Sequence, residues 1–313
     1  MNFGRIYFKT ILFLTGKEMK KILLMTVILT SLYAAQTHAE STLDRIKTSG
    51  KITIGYRDAA DPISYTVNDK PVGYALDICN QVVSDIKKTL NKPDLQVKYE
   101  LVHPMTRIPD VITGKIDLEC GTTTNTKQRQ DVVDFSTSYF VTEVRMAVKS
   151  NTNYTKITDL NGKAIVTTKG TTSDKYIRTL KRNDLIDVKN IFGSDNNEAF
   201  ALLSSGRASA LVMDDNTLAG LIAKSGHPQD YKMIGPVLSK EPYGIMIAKN
   251  NPQLKSMVDH VIHKMWISGE MAKLYKKWFQ SPIPPNNLNL NIAPNSSFKQ
   301  FEKAPNDEGI DLS

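Results

Sequence analysis

Short apolar runs alternate with longer segments of helical periodicity along most of this chain, and that rhythm restricts its fold more than any other feature. Lys51 to Arg57 reads as a strand that runs into a loop at Asp58 to Pro62. Ile78, Val82, Ile86 and Leu90 recur every four residues, which predicts an amphipathic helix. Leu95, Val97, Tyr99 and Leu101 alternate as a half-buried strand should. Arg107 to Thr113 predicts a short helix closed by Gly114, followed by a strand from Ile116 to Cys120. Strands alternating with helices predict an α/β fold with a mainly parallel sheet and ligands at the carboxyl ends of its strands.

The same build then recurs. Asn161-Gly162 turns into a strand at Ala164 to Thr167, Tyr176, Ile177 and Leu180 mark a helix, and Ile191-Phe192 ends another strand. Glu198 to Ser204 is helical and stopped by Gly206, and Ala210 to Met213 is a strand ending at Asp214-Asp215. Gly114-Lys115-Ile116 and Gly206-Arg207-Ala208 both pair a helix-stopping glycine with a cation and a strand. This echo predicts two lobes of similar build. Strand returns at Gly244 to Ala248, and Met257, Val258, Val261, Ile262, Met265 and Trp266 form the stripe of a long helix broken by Gly269. Beyond Ser281 the chain turns proline-rich and polar, and residues 282–313 are expected to be extended or partly disordered.

The amino terminus has the order of a secretory signal peptide: basic residues at Met19-Lys20-Lys21, an apolar run from Ile22 to Tyr33, and small residues at Thr37 and Ala39. Residues 1–39 are assigned to it, with Met19 the better start. Its apolar run is too short to span a bilayer, and the expected location is the periplasm. The stretch holds Arg5, Lys9, Lys17, Lys20, Lys21 and Glu18, so its removal lowers the net charge from +8 to +4. The remaining cations are interleaved with acids, which argues against a nucleic-acid partner. In an oxidising compartment Cys79 and Cys120 could pair, although each also sits where a small buried apolar residue would serve.

Catalysis finds little support. The histidines after residue 39 are His103, His227, His260 and His263. His260 and His263 have metal-like spacing but lie off the apolar stripe without a third ligand. No phosphate loop, nucleophile elbow or Cys-x-x-Cys occurs, so no catalytic residue, metal or cofactor is assigned. Binding is better supported. Gly121 to Thr126 leaves a strand and opens a helix carrying Arg129, whose guanidinium can grip a carboxylate. Gly170 to Asp174 repeats that chemistry in the second half. Asp214 follows a buried strand at the ligand end of its sheet and suits an ammonium, while Asp215 can equally cap the following helix.

At these residues the chain resembles the polar amino-acid family of periplasmic solute-binding proteins, and its glutamate/aspartate-binding members in particular. The similarity is carried by Ser41 to Asp44, Asn91 to Lys98, Arg107 to Pro109, Glu119 to Asn125, Gly170 to Ser173, Met213 to Asp215, and Trp278-Phe279 through Leu288. It implies a two-lobe periplasmic-binding-protein fold of type II, with two strands crossing at the hinge. Residues 41–140 and 240–281 would form the first lobe and residues 141–239 the second. Arg129 would then hold the ligand α-carboxylate, helped by Thr122, Thr124, Thr171 and Thr172, and Asp214 would take the α-amino group. Arg57 and Arg107 would hold the side-chain carboxylate. Asn196 stands where close relatives carry histidine, and Pro104 where they carry serine, both near the side-chain end of the pocket.

The implied function is capture of L-glutamate or L-aspartate by lobe closure, as a monomer that delivers to an inner-membrane ABC permease. Three arginines and one aspartate match two carboxylates and one ammonium, and charge-assisted hydrogen bonds are worth roughly 1.5–3 kcal/mol each. The alternatives are a binding protein for another polar amino acid and a cyclohexadienyl-type dehydratase on the same fold.

Overall fold

The computed structural model describes residues 40–312, and the signal peptide expected at residues 1–39 lies outside them. The chain enters through α1 (Thr42–Ser49), β1 (Lys51–Tyr56) and the hairpin of β2 (Tyr65–Val67) and β3 (Lys70–Val72). Helix α2 (Tyr74–Thr89) follows, with Ile78, Val82 and Ile86 fully buried on one face as their spacing requires. Next come β4 (Gln96–Leu101), α3 (Arg107–Ile112), β5 (Leu118–Cys120), the single turn α4 (Lys127–Gln130) and β6 (Val133–Phe135).

The chain then crosses on β7 (Phe140–Lys149) into β8 (Ala164–Thr168), α5 (Thr172–Arg182), β9 (Lys189–Gly193), α6 (Asn196–Ser204), β10 (Ala210–Asp214) and α7 (Asp215–Lys224). It returns on β11 (Tyr231–Tyr243) and ends through β12 (Met246–Ala248), α8 (Pro252–Ile267), α9 (Glu270–Phe279) and α10 (Ser296–Lys303).

Two five-stranded sheets result, in the orders β4-β1-β5-β12-β6 and β11-β7-β10-β8-β9. Each contains three mutually parallel strands, β4-β1-β5 in one and β10-β8-β9 in the other. The remaining pairings are antiparallel, because β12 in the first sheet and β7 and β11 in the second run against their neighbours. The expectation of a mainly parallel sheet is corrected accordingly: β12 makes the first sheet mixed, and the crossing strand β7, antiparallel to both β10 and β11, makes the second mixed.

In the second lobe, burial follows the two-residue strand period. Ala210 and Val212 pack with Ile165 and Ile177 on one face, while Leu211 and Met213 pack with Ala199 and Leu218 on the other. The crossing strands β7 and β11 pair along their length, from Tyr231 opposite Lys149 to Tyr243 opposite Phe140. Phe140 and Tyr243 lie in the first lobe's core beside Tyr74, Tyr275 and Phe279. The far halves of both strands belong to the second lobe.

Cys79 of α2 and Cys120 at the end of β5 form a disulfide with their Cα atoms 6.4 Å apart. Closing a loop of 41 residues, it restricts the unfolded chain by an amount worth about 4 kcal/mol. It also fixes the strand end from which the Gly121 to Thr126 loop departs.

The carboxyl-terminal segment differs from the expectation of an extended or partly disordered tail. Ile283 and Leu288 exchange backbone hydrogen bonds of 3.0 and 3.2 Å. Helix α10, capped by Asn295, buries Phe298 against Trp266, Phe140 and Tyr275. Beyond it, Ile310 pairs with the chain at Thr126: its N–H donates to Asn125 O at 3.1 Å, and its carbonyl accepts from Lys127 N at 2.9 Å. A few apolar anchors suffice here because the first lobe supplies an aromatic socket and an open backbone edge.

Candidate ligand-binding cleft

Two loops and two strand ends from opposite lobes face one another. From the first lobe, Arg57 follows β1, Arg107 opens α3, and Thr122 and Thr124 lie in the loop after β5. Both arginines are only 2 % exposed. Arg107 Nη1 donates to the Thr122 carbonyl at 3.1 Å, and Arg129 Nη1 on α4 donates to the Thr124 carbonyl at 2.9 Å. The loop begins at Gly121 because nothing larger fits. A Cβ there would meet Glu119 Oε1 at 2.5 Å and Arg57 Cγ at 2.6 Å.

From the second lobe, Thr171 caps α5, accepting from Asp174 N at 3.3 Å and donating to the Thr168 carbonyl at 2.7 Å. Asn196 at the start of α6 accepts from Thr168 Oγ1 at 2.9 Å and donates to the Ala59 carbonyl of the first lobe at 3.0 Å. Gly170, at φ +80°, approaches Met105 of the other lobe so closely that a Cβ would lie 2.5 Å from its sulfur. Asp61 and Lys224 form a further inter-lobe ion pair at 3.1 Å. The lobes are therefore closed on each other, around a cavity of about 20 Å³.

Of the nine residues singled out from sequence, eight line that cavity: Arg57, Arg107, Thr122, Thr124, Thr171, Thr172, Asn196 and Asp214. Arg129 is not among the lining residues and stands behind Thr124. The two adjacent aspartates separate, but not by the expected capping: Asp214 is the N-cap of α7, with no side-chain cap bond, and Asp215 is its first helical residue. Asp215 accepts from Thr142 Oγ1 at 2.7 Å and from Glu143 N at 3.2 Å, a structural role. Asp214 faces the cavity and accepts a short hydrogen bond from the Tyr243 hydroxyl.

Sequence reasoning missed two buried carboxylates. Glu119, in the apolar run Leu118 to Cys120, is fully buried, and the charges of Arg107, Arg57 and Arg129 act on its carboxyl. Glu241, on β11, is also fully buried, and its Oε2 accepts from Thr124 of one lobe and Thr172 of the other, each at 2.6 Å. An acid inside an apolar strand was a usable signal for Glu119. Glu241 had none, since Lys240-Glu241-Pro242 reads as surface loop. The charge account is corrected from three arginines against one acid to three against three.

The electrostatics still ask for a ligand. Burial, reinforced by the like charge of Arg107, lowers the Arg57 guanidinium to about 10. The same two causes lower Arg129 to about 9. Burial raises the Glu119 carboxyl above its ordinary range. Burial, with the negative charge of Glu241, raises Asp214 to about 7. Opposite shifts in one enclosed space describe cations short of anions beside an anion short of a cation.

The bacterial extracellular solute-binding proteins, family 3, match residues 52–281. The chain belongs to that family. It is 42 % identical over 294 residues to the L-glutamate/L-aspartate-binding protein of Pseudomonas aeruginosa, a match covering 92 % of this chain and 97 % of the relative. It is 40 % identical over 292 residues to the glutamate/aspartate import solute-binding protein of Salmonella typhimurium, covering 91 % and 97 %. Among solved structures, the P235GK mutant of ArgBP from T. maritima aligns at a TM-score of 0.67 and 27 % identity, over 76 % of this chain and 99 % of that one. This chain has the two-lobe periplasmic-binding-protein fold, with mixed α/β sheets.

Proposed function

We propose that the protein is the periplasmic binding component of an ABC importer and captures L-glutamate or L-aspartate by closing its lobes. The observation that carries this reading is that Arg57 and Arg107 of one lobe and Asp214 of the other line one enclosed cavity, and burial shifts Arg57 down to about 10 and Asp214 up to about 7. A zwitterion with a second acid group answers both. Its side-chain carboxylate lies between Arg57 and Arg107, its α-carboxylate is drawn by the charge of Arg129 behind Thr124 and not by the hydroxyls of Thr124 and Thr172, which donate to Glu241, and its ammonium meets Asp214. The names of the Pseudomonas and Salmonella relatives point to the same ligands.

Glutamine leaves Arg57 and Arg107 with buried charge facing an amide, which the cleft should reject strongly. The inter-lobe contacts through Asn196 and through Asp61–Lys224 open to admit ligand and re-form around it, with β7 and β11 as the hinge. The protein acts by binding without turnover, as a monomer, and hands its ligand to an inner-membrane permease. Secretion through residues 1–39 accords with the Cys79–Cys120 disulfide, a bond of oxidising compartments.

Calorimetry with a panel of amino acids tests the reading. Glutamate or aspartate should bind at micromolar Kd or tighter, about −8 kcal/mol, with glutamine weaker by a factor of about 100. Glutamine or arginine binding more tightly than either acid would refute it.

A further inference from the structure

We propose that Glu241 is a positioning residue that makes the cleft demand an amino group on its ligand. The inference rests on the reading of the cleft as an amino-acid site and adds a residue to it. A hydroxyl has one hydrogen and two lone pairs, so wherever its hydrogen is committed it can only accept elsewhere. Thr124 and Thr172 line the cavity from opposite lobes, and both commit their hydrogens to Glu241 Oε2 at 2.6 Å. What they turn toward the cavity is lone pairs.

Two more lining hydroxyls are committed in the same sense. Thr171 donates to the Thr168 carbonyl at 2.7 Å, and Thr168 donates to Asn196 Oδ1 at 2.9 Å. With the Asp214 carboxylate, these groups give the cavity an accepting lining that it holds together with the donating guanidiniums of Arg57 and Arg107. Glu241 can orient hydroxyls of both lobes because β11 passes between them, and complete burial shields its charge from water. An ammonium donates three hydrogens into the accepting lining. A carbonyl in the same place sets lone pair against lone pair. Without Glu241, the hydroxyls of Thr124 and Thr172 are free to rotate and donate.

The test compares L-glutamate with 2-oxoglutarate, which keeps both carboxylates and replaces the amino group by a carbonyl. Calorimetric Kd values for both are taken on the wild type, Glu241→Ala and Glu241→Gln. The wild type should prefer glutamate. Glu241→Ala should narrow the ratio by about tenfold or more, the scale of one charge-assisted hydrogen bond. Glu241→Gln, whose amide oxygen still accepts, should fall between. A role in folding or closure alone weakens both ligands equally, so an unchanged ratio in a folded Glu241→Ala overturns the proposal.

Should Glu241→Ala fail to fold, Glu241→Gln and Thr172→Val decide. Each should cost glutamate more than 2-oxoglutarate, and equal losses overturn the proposal. If the wild type binds a different amino acid, the dicarboxylate reading has failed, and the ratio is measured for that amino acid and its 2-oxo analogue. Narrowing there sustains the role of Glu241 by itself. A wild type that binds no amino acid overturns both.

Discussion

The two loops that meet across the cleft, Gly121 to Thr126 and Gly170 to Ser173, carry similar residues but are held in place differently. The second is held largely from nearby, although Thr172 also donates to the remote Glu241: Thr171 caps the eleven-residue helix α5, and its hydroxyl ties back to the Thr168 carbonyl only three residues away. The first opens a helix of four residues, too short to stand alone. It is held instead by distant partners. Arg107 and Tyr139 bind its carbonyls, the disulfide fixes its origin, and Ile310 adds a strand-like edge at Asn125 and Lys127. Similar threonine-rich sequences thus present similar chemistry on one local and one non-local support. Loss of the α10 and Ile310 contacts should therefore reach the first loop and spare the second, whereas loss of Glu241 should reach both.

Phe298→Ala should have the largest effect. It empties the aromatic socket under α10 at a cost of about 3–5 kcal/mol, read as a lower Tm and denaturation midpoint. Hydrogen exchange should quicken at Lys127 N–H, which bonds Ile310, and not at Asp174 N–H, which bonds Thr171; equal quickening would erase the distinction. Next in size, Arg107→Ala removes a cavity guanidinium and the brace on the Thr122 carbonyl together. Affinity for a dicarboxylic amino acid should fall by about a hundredfold, two charge-assisted bonds' worth, and unchanged affinity would remove Arg107 from the site.

The pH response is smaller and has a definite sign. In the free protein Asp214 takes up a proton as pH falls through about 7. An ammonium partner requires the ionised form, so affinity should fall by up to about tenfold per pH unit below 7. The stability of the ligand-free protein moves the other way. Its raised carboxyl contributes stability that is present below the ordinary carboxylate range and lost as pH rises through about 7. Asp214→Asn should flatten both profiles in titrations and melts. The smallest change expected is Thr171→Ala, which removes one cap at about 1 kcal/mol and should quicken exchange at Asp174 N–H while leaving Lys127 N–H untouched.

The same contrast explains what could be read from sequence. Asp214 was legible because it follows a buried strand at the ligand end of its sheet, whereas Arg57 and Arg107 were singled out through the family resemblance, Arg57 with the added support of its place after the first strand. The Gly170 to Asp174 loop was legible as a repeat, in the second half, of the chemistry at Gly121 to Thr126. Features requiring remote partners were not. Phe298 and Phe301 are spaced for a helix, yet the surrounding asparagines and prolines hide them, and nothing local shows the socket that receives Phe298. The polar Tyr231 to Tyr243 strand exists because β7 lies alongside it, so Glu241 went unseen. The pairing of Cys79 with Cys120 likewise depended on bringing α2 against β5.

A crystal structure of the protein with L-glutamate tests the central claim most directly. It should show the side-chain carboxylate within hydrogen-bond distance of both Arg57 and Arg107, and the ammonium against Asp214. A ligand bound with those guanidiniums pointing into bulk water, or with no positive group near Asp214, would contradict it.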